Sequence, residues 1–227
     1  KIMLNKSQIF ILLHHISLAV GLAVYGFQWH WAIVVFLFSM FWAWIVGNNI
    51  NHYYFAHATY KDSLKSYFYT FLCLTSGLGS PLSFSASHRQ HHKYTDTEKD
   101  PHSPHHIGWK RVYFLDWEPQ NISRKTIRDF VRSKFQIWVH KHWYQLHIGI
   151  VIIIALIDLR LLFFGLSPGV LYSFHSGSLT NTLSHLDGKH RNVWYLRPFI
   201  WWGWAHGDHH SGKFDRYKSS RVYSDNY

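Results

Sequence analysis

The chain has 227 residues, a length that suits one ordinary domain and gives no indication of two. Its composition excludes a disordered protein and argues against an ordinary soluble domain, because 19% of the residues are aromatic, 20 are His and only 15% are charged. The single cysteine, Cys73, excludes an internal disulfide and gives no support to a thiolate metal site, so any metal must be held by nitrogen or oxygen. The net charge of +11 is compatible with anionic lipid or an acidic protein partner.

Two apolar segments open the chain. Residues 8–27 and 31–50 are each about the 20 residues that a helix needs to cross a bilayer, and neither contains Lys, Arg, Asp or Glu. Only residues 28–30 separate them, which predicts a tight hairpin. A signal peptide is the alternative interpretation of the first segment, but no small-residue cleavage site follows it and a second apolar segment comes at once.

A second apolar pair follows later in the chain, with predicted spans at residues 143–157 and 169–186. Asp158 and Arg160 are costly at a bilayer centre, so we interpret "DLRLLFFGLSPG", which contains both and Pro168, as a turn on the far side. Residues 67–86 are also apolar but are interrupted by glycine and proline. We expect this segment to lie on or dip into the membrane interface, with a fifth span as the alternative.

The basic residues predict the orientation. Residues 51–142 hold 13 Lys and Arg, residues 187–227 hold 7, and the hairpin at 28–30 holds none. Positively charged loops remain in the cytoplasm. The sequence therefore predicts an all-α, multi-pass membrane protein in which residues 1–227 form a single domain. Four transmembrane helices in two hairpins would carry a cytoplasmic helical cap, residues 51–142 and 187–227, that holds a two-metal site, in a bacterial inner membrane or the endoplasmic reticulum.

Histidines collect at the predicted cytoplasmic ends of the spans. In the triplets "HRQHH" and "HGDHH" the rings recur at i, i+3 and i+4, so we expect three nitrogens of each triplet to converge on one point. The two rings of "HYYFAH" are five residues apart and would straddle a helix face, which suits ligands of different ions. Imidazole suits Zn, Cu, Fe and Ni, and nine imidazoles exceed the capacity of one ion, so we predict two ions. The predicted ligands are His52, His57, His88, His91, His92, His185, His206, His209 and His210.

Other polar residues receive smaller roles or none. Asn181 lies one helical turn before His185, and the two side chains can point together. Asp100, His102 and Asp208 are expected to orient ligand rings through hydrogen bonds. The remaining histidines are interpreted as ordinary hydrogen-bonded or surface residues. A histidine-rich metal transporter is an alternative from another functional class, and it requires polar residues at mid-membrane on several spans.

These motifs resemble the integral-membrane fatty acyl desaturases, a family with three histidine boxes. "HYYFAHATYKD" looks like the first box, "HRQHHKYTDTEKDPHSP" the second and "HGDHH" the third, while "NTLSH" is similar to the Asn and lone His of the family's last span. The resemblance covers about residues 30–212. It implies that the nine histidines bind two iron ions, that Asn181 binds one iron through water, and that a four-helix stem lies under a cytoplasmic cap.

The resemblance also implies a reaction. Two hydrogens would be removed from neighbouring methylenes of an acyl chain with O2 and two electrons, which redox-inert zinc does not support. The electrons would come from a separate protein, a ferredoxin or a small cytochrome with its reductase. The same superfamily contains alkyne-forming acetylenases and hydroxylases or monooxygenases, and both remain alternatives. Nucleic acid is not an expected partner.

Two positions near the second box bear on the carrier of the acyl chain. Animal acyl-CoA desaturases have an Arg-Asp pair directly before the second box, where this chain has Ala86 and Ser87. The basic pair Lys110 and Arg111 follows "GW" and is the candidate grip on the carrier. A basic cap suits an acidic acyl carrier protein or anionic lipid. The carrier is therefore acyl carrier protein, CoA or a lipid, with the first as a serious hypothesis.

Overall fold

The computed structural model describes residues 4–118, 122–200 and 203–212, and all regular structure within these ranges is helical. Residues 213–227 of the predicted cap lie outside the described residues. Four long helical segments form the stem: α1 at Lys6–Tyr25, α2 at Trp29–Met40, α8 at Lys134–Ile157 and α10 at Ser167–Ser184. The shorter helices are α3 (Leu64–Leu74), α4 (Pro81–Tyr94), α5 (Pro104–Ile107), α6 (Trp109–Tyr113), α7 (Arg128–Val131), α9 (Leu159–Leu161) and α11 (His206–His210).

The first hairpin consists of two helices that expose their apolar side chains. Helix α1 begins at a capping box in which Asn5 accepts from the Gln8 backbone, and α2 continues without a break into a π-helix at Phe41–Ala56. Both Lys6–Tyr25 and Trp29–Ala56 are long and apolar enough to cross a membrane, with a hydropathy of 1.8 each. Only 17% of each tested segment is buried, which is unlike the core helix of a soluble protein.

The turn of the second hairpin is shorter than predicted. Helix α8 ends at Ile157, and only Asp158 interrupts the helical path before α9 begins at Leu159, ten residues ahead of the expected start at 169. Asp158 caps the new helix by accepting from the Arg160 backbone N–H at 2.8 Å, and the two side chains form an ion pair. Proline at 168 was interpreted as part of the turn. The π-helix at Leu162–Leu166 leads directly into α10, so this proline continues the helix rather than ending it.

Helix α10 lies at the centre of the stem and packs against α1, α2 and the π-helix of α2. Eleven of its 18 residues are buried, and many of these are Ser or Thr. Because neighbouring helices cover it, α10 does not need an apolar surface, and small residues allow close helix packing. This explains why its sequence is much less hydrophobic than that of α1 or α2.

Residues 67–86 do not form a single element. They comprise the end of α3, a turn, and the start of α4 at Pro81, and the turn contains Gly77 at φ +64° and Gly79 at φ +116°. Helix α3 has 11 residues, about 16 Å, which is half of what a span requires. The alternative of a fifth span is therefore wrong.

Candidate metal centre

The structure gathers nine histidines into two neighbouring clusters. In each cluster one possible ligand atom from every residue lies within 4.8 Å of the others. The rings of His92 and His210 stack at the boundary, with centroids 4.3 Å apart. The first cluster contains His52, His57, His88, His92 and His209, and the second contains His91, His185, His206 and His210.

The first histidine pair behaves differently from the prediction. His52 and His57 were expected to reach toward different ions, but their Nε2 atoms lie 3.1 Å apart in one cluster. The cause is the π-helix, whose hydrogen bonds join residues five apart, here from the His57 N–H to the His52 carbonyl at 3.0 Å. Two side chains five residues apart therefore share one face of this helix, which they would not do on an α-helix.

The two triplets also differ from the prediction, because neither converges on a single point. In "HRQHH", His88 and His92 belong to the first cluster while His91 belongs to the second. In "HGDHH" the division is reversed, because His206 and His210 belong to the second cluster and His209 belongs to the first. Adjacent residues on an α-helix point about 100° apart, so i and i+4 stay together while i+3 turns toward the neighbouring cluster. Each triplet thus contributes to both clusters.

The spacing of the ring nitrogens suits metal ions. The Nε2 atoms of His57 and His88 are 2.9 Å apart, and those of His91 and His210 are 3.2 Å apart. Ligand bonds of about 2.1 Å, as in zinc–imidazole sites, at angles of 90–109° place nitrogens about 3.0–3.4 Å apart. His185 Nε2 is buried and has no hydrogen-bond partner among the described residues. The donor set and its spacing therefore fit two cations with nitrogen ligands.

Two aspartates set the orientation of rings in the second cluster. Asp100 Oδ2 lies 2.8 Å from His91 Nδ1, and Asp96 lies 3.0 Å from His185 Nδ1. An ionised carboxylate only accepts, so each Nδ1 carries the proton and each Nε2 presents a lone pair to the cluster. Asp100 is itself held by the backbone N–H groups of Asp96 and His102, each at 3.0 Å.

Burial keeps the rings neutral. It lowers the pKa of His57 to about 3, with the nearby His209 and Arg89 charges adding to the effect, and it lowers the pKa of His209 to about 4. Neutral imidazole is the form that binds metal, so these rings offer lone pairs at neutral pH. Burial also lowers the pKa of His88, His91, His92 and His206 well below its ordinary value.

Arg89 ties the first two histidine motifs together. It is 1% exposed, lies next to His88, and forms a two-pronged ion pair with Asp129 at 2.8 and 2.9 Å. Its other donors satisfy backbone carbonyls where the π-helix ends, which would otherwise lack partners. These acceptors are Phe55 at 3.1 Å, Ala56 at 2.8 Å and Ala58 at 2.9 Å. Arg89 also donates to the Thr126 carbonyl at 2.9 Å, in the turn before α7.

The third motif is held by close backbone packing. A Cβ at Gly207 would lie within 2.7–2.8 Å of the Arg191 backbone, so only glycine fits there. Asn192 joins the same contact, because it accepts from the Asp208 N–H and donates to the Asp208 carboxylate, both at 2.9 Å. The hydrogen bonds of Asp208 with Asn192 fix the backbone of the motif, and its expected role in orienting a ligand ring stays a prediction.

The remaining predicted residues are not members of either histidine cluster. His102 packs its ring against that of His91, with centroids 4.3 Å apart, and its backbone holds Asp100. Asn181 is half-buried on α10, and its role as a ligand through water stays a prediction. Lys110 and Arg111 are exposed on α6, where Arg111 pairs with Asp116 at 3.5 Å.

Sequence reasoning missed several contacts. Arg89 was not singled out, although a buried cation inside a histidine motif was a usable signal. In the stem, His14 and His147 face each other with Nε2 atoms 3.3 Å apart, and both were interpreted as ordinary residues. The other nitrogens of this pair are also engaged, by Ser167 at 3.0 Å and the Leu74 carbonyl at 2.9 Å. The pair is thus a closed hydrogen-bonded contact between helices.

Comparison with known proteins gives desaturases over most of the chain. It is 28% identical to Delta-9 acyl-lipid desaturase 2 of Arabidopsis thaliana over 209 residues, which cover 84% of this chain and 66% of that protein. It is 26% identical to Delta-9 acyl-lipid desaturase 1 of the same plant, covering 70% and 57%. It is 24% identical to icosanoyl-CoA 5-desaturase of Limnanthes douglasii, covering 74% and 50%. The chain is thus similar to fatty acyl desaturases over most of its length.

The chain spans 57% and 66% of the lengths of the two Arabidopsis desaturases. No family model matches it. The relatives are named for double bonds at different positions and for acyl groups on lipid or on CoA. The similarity is therefore to enzymes that are named for acting on fatty acyl groups.

Proposed function

We propose that the protein is an O2-dependent fatty acyl desaturase with a two-iron centre in a cytoplasmic cap. The observation that carries this proposal is the pair of adjacent clusters, in which nine imidazoles bring their ligand atoms to metal-ligand spacing. Among the described residues, neither the cluster of five histidines nor the cluster of four contains a carboxylate or a thiolate, so nitrogen donors would hold both ions. That donor set suits a redox-active first-row metal.

The residues of each cluster have separate tasks. His52, His57, His88, His92 and His209 would hold one iron, and His91, His185, His206 and His210 the other, with Asn181 reached through water. When bound, the irons supply the oxidising power, drawn from O2 and two electrons, that removes two hydrogens from neighbouring methylenes. Asp96 and Asp100 keep two rings of the second cluster in the tautomer that presents Nε2. Arg89 and Gly207 hold the motifs in register.

The membrane arrangement is part of the proposal. Four spans would cross the membrane, with the clusters on the cytoplasmic side. These spans are α1, α2 together with its π-helix, α8, and the continuous path from α9 to α10. The first two of these spans are long and apolar enough to cross a membrane. Helix α8 exposes isoleucine side chains such as Ile152, which is 52% exposed, and Ile153, which is 60% exposed. Lipid is a better environment than water for such an exposed apolar surface.

The acyl carrier and the electron donor are proposed from surface charge. Lys110 is exposed on α6, beside the Trp109 ring at 5.7 Å, and its positive charge would attract an anionic carrier. Acyl carrier protein is acidic, and a basic cap would attract it. Acyl groups on CoA or lipid are the other carriers to compare. A ferredoxin or small cytochrome would supply the electrons.

The proposal is tested with purified protein loaded with iron in the absence of oxygen. We expect two irons per chain, and one iron per chain in each of the variants His57→Ala and His185→Ala. With reductant, O2 and acyl substrate on each carrier, the product should be lighter by two hydrogens. A product heavier by one oxygen would overturn desaturation in favour of hydroxylation. Loss of four hydrogens would identify an acetylenase, and binding of zinc alone would reject the iron centre.

A further inference from the structure

An aromatic hairpin lies beside α10, formed by residues 193–200 and 203–204, with 201 and 202 outside the described residues. The Val193 N–H donates to the Trp204 carbonyl at 2.7 Å and closes the two ends of the hairpin. Near the closed end, Gly203 packs directly against the Thr180 side chain of α10. At the other end, the Tyr172 hydroxyl donates to the Phe199 carbonyl. The hairpin therefore runs along α10.

The two anchor points show how far the hairpin extends. Tyr172 and Thr180 are two turns apart on α10, which corresponds to about 12 Å along the helix. Tyr172 is the anchor farther from His185 and the metal clusters. The hairpin thus begins near the third histidine motif, and its tip lies beside the part of α10 that we place in the membrane.

The hairpin exposes large aromatic side chains. Trp194 is 74% exposed, Tyr195 54% and Phe199 65%. Three such rings close together are unusual on a surface that faces water. Trp and Tyr concentrate where a membrane meets water, because one end of each ring system is apolar and the other is polar. The exposed rings, at this depth along α10, fit the interface of the bilayer.

A cleft of about 560 Å³ opens in the same hairpin, lined by Trp194, Tyr195, Arg197, Pro198 and Trp204. Its size is within the range of sites that bind small organic molecules, about 300–1,000 Å³. Arg197 is the charged residue of the cleft, and its guanidinium group lies 5.4 Å from the Trp204 ring. Within the described part of the chain, no carboxylate forms an ion pair with Arg197. A guanidinium group held against an aromatic wall suits a phosphate, which it binds through two parallel hydrogen bonds.

We propose that this cleft binds the phosphate group of a membrane phospholipid. Arg197 pairs with the phosphate, while Trp194 and Tyr195 lie at the depth of the headgroups and ester linkages. The site depends on the membrane location of the stem and not on the iron centre or its reaction. Because Trp204 is two residues before His206, a lipid in the cleft also braces the hairpin that leads into the third histidine motif.

The first test measures lipid retention by native mass spectrometry. The protein is purified with an equal mixture of phosphatidylglycerol and phosphatidylcholine, and the variants are Arg197→Gln, Arg197→Lys and, as a matched loss of one exposed charge nearby, Lys189→Gln. We expect phospholipid binding to weaken by about tenfold or more in Arg197→Gln, since a charge-assisted hydrogen bond contributes about 1.5–3 kcal/mol. Arg197→Lys should weaken it less, and Lys189→Gln should leave it within about twofold of wild type.

Three results would overturn the site. They are unchanged retention in Arg197→Gln, equal losses in Arg197→Gln and Lys189→Gln, and displacement of the lipid by excess inorganic phosphate. Iron content and elution as a single species show whether Arg197→Gln is folded. Fluorescence gives a second measurement that does not depend on affinity. Trp194→Phe should reduce quenching by brominated phospholipids and leave quenching by aqueous acrylamide unchanged, and the opposite pattern contradicts an interfacial position.

Discussion

Removing the charge of Asp129 should destabilise the cap and impair metal binding together. Arg89 is 1% exposed, and Asp129 provides its two-pronged ion pair at 2.8 and 2.9 Å. Asp129→Asn keeps the volume of the side chain but leaves the guanidinium group buried without its counter-charge. Breaking a buried ion pair by changing one partner costs about 3–5 kcal/mol.

The expected size of the effect follows from the length of the chain. For proteins of about 150–250 residues, each 1 kcal/mol corresponds to a change in Tm of about 2–4 °C, so we expect Asp129→Asn to lower the Tm by about 6–20 °C. The iron content should fall as well, because Arg89 joins the end of the π-helix carrying His52 to the helix carrying His88.

Thermal unfolding in detergent, followed by intrinsic fluorescence, measures the loss of stability, and elemental analysis measures the iron. Arg128→Met is the control, because it removes an exposed charge directly beside Asp129 in the chain. The control should stay within about 0.5 kcal/mol of wild type. If Asp129→Asn shifts the Tm by no more than the Arg128 control, the proposed role of this ion pair is refuted.

Three further predictions concern the centre itself. Asp100→Asn should weaken iron binding at the second cluster by about 10–100-fold, measured by competitive chelation, because the His91 tautomer is no longer fixed, while Glu98→Gln at an exposed neighbour should not. Gly207→Ala should reduce iron at both clusters, since its methyl group meets the backbone of Arg191, whereas Gly149→Ala has open space and should keep full iron content; equal iron in the two variants would contradict this. If the free iron concentration is about 1,000 times the Kd of the site, removing the iron with a chelator should lower the free energy of unfolding by about 4 kcal/mol and lower the Tm. An unchanged Tm would indicate that the clusters do not bind iron in the folded state.

The sequence predicted the membership of the histidine clusters better than their division. Chain positions of the motifs relative to the apolar segments were enough to bring nine imidazoles together. The division between two clusters depends on helix type and rotation, which composition and spacing do not reveal. His52 and His57 share a cluster only because α2 becomes a π-helix, and His91 separates from His92 because adjacent residues point about 100° apart.

Other features escaped sequence reasoning because the role of each residue depends on the elements packed around it in the fold. Pro168 was interpreted as a turn residue, but the π-helix before it leads directly into α10 and the helix continues. Arg89 in "HRQHH" looks like a surface charge in the sequence, and only the fold shows the carbonyls that surround it. The aromatic hairpin before the third motif has no periodic pattern from which its location could be predicted. Its position along α10 is seen only in the structure, where Gly203 packs against Thr180.

The central claim is that the histidine centre removes two hydrogens from an acyl chain. The most direct measurement is mass spectrometry of total fatty acids from cells that express the wild-type chain, the His91→Ala variant or the His142→Ala variant, the last being a control at a half-buried histidine outside both clusters. The account predicts new acyl chains lighter by two hydrogens with the wild type and with His142→Ala, and none with His91→Ala. An identical fatty acid profile for all three would contradict it.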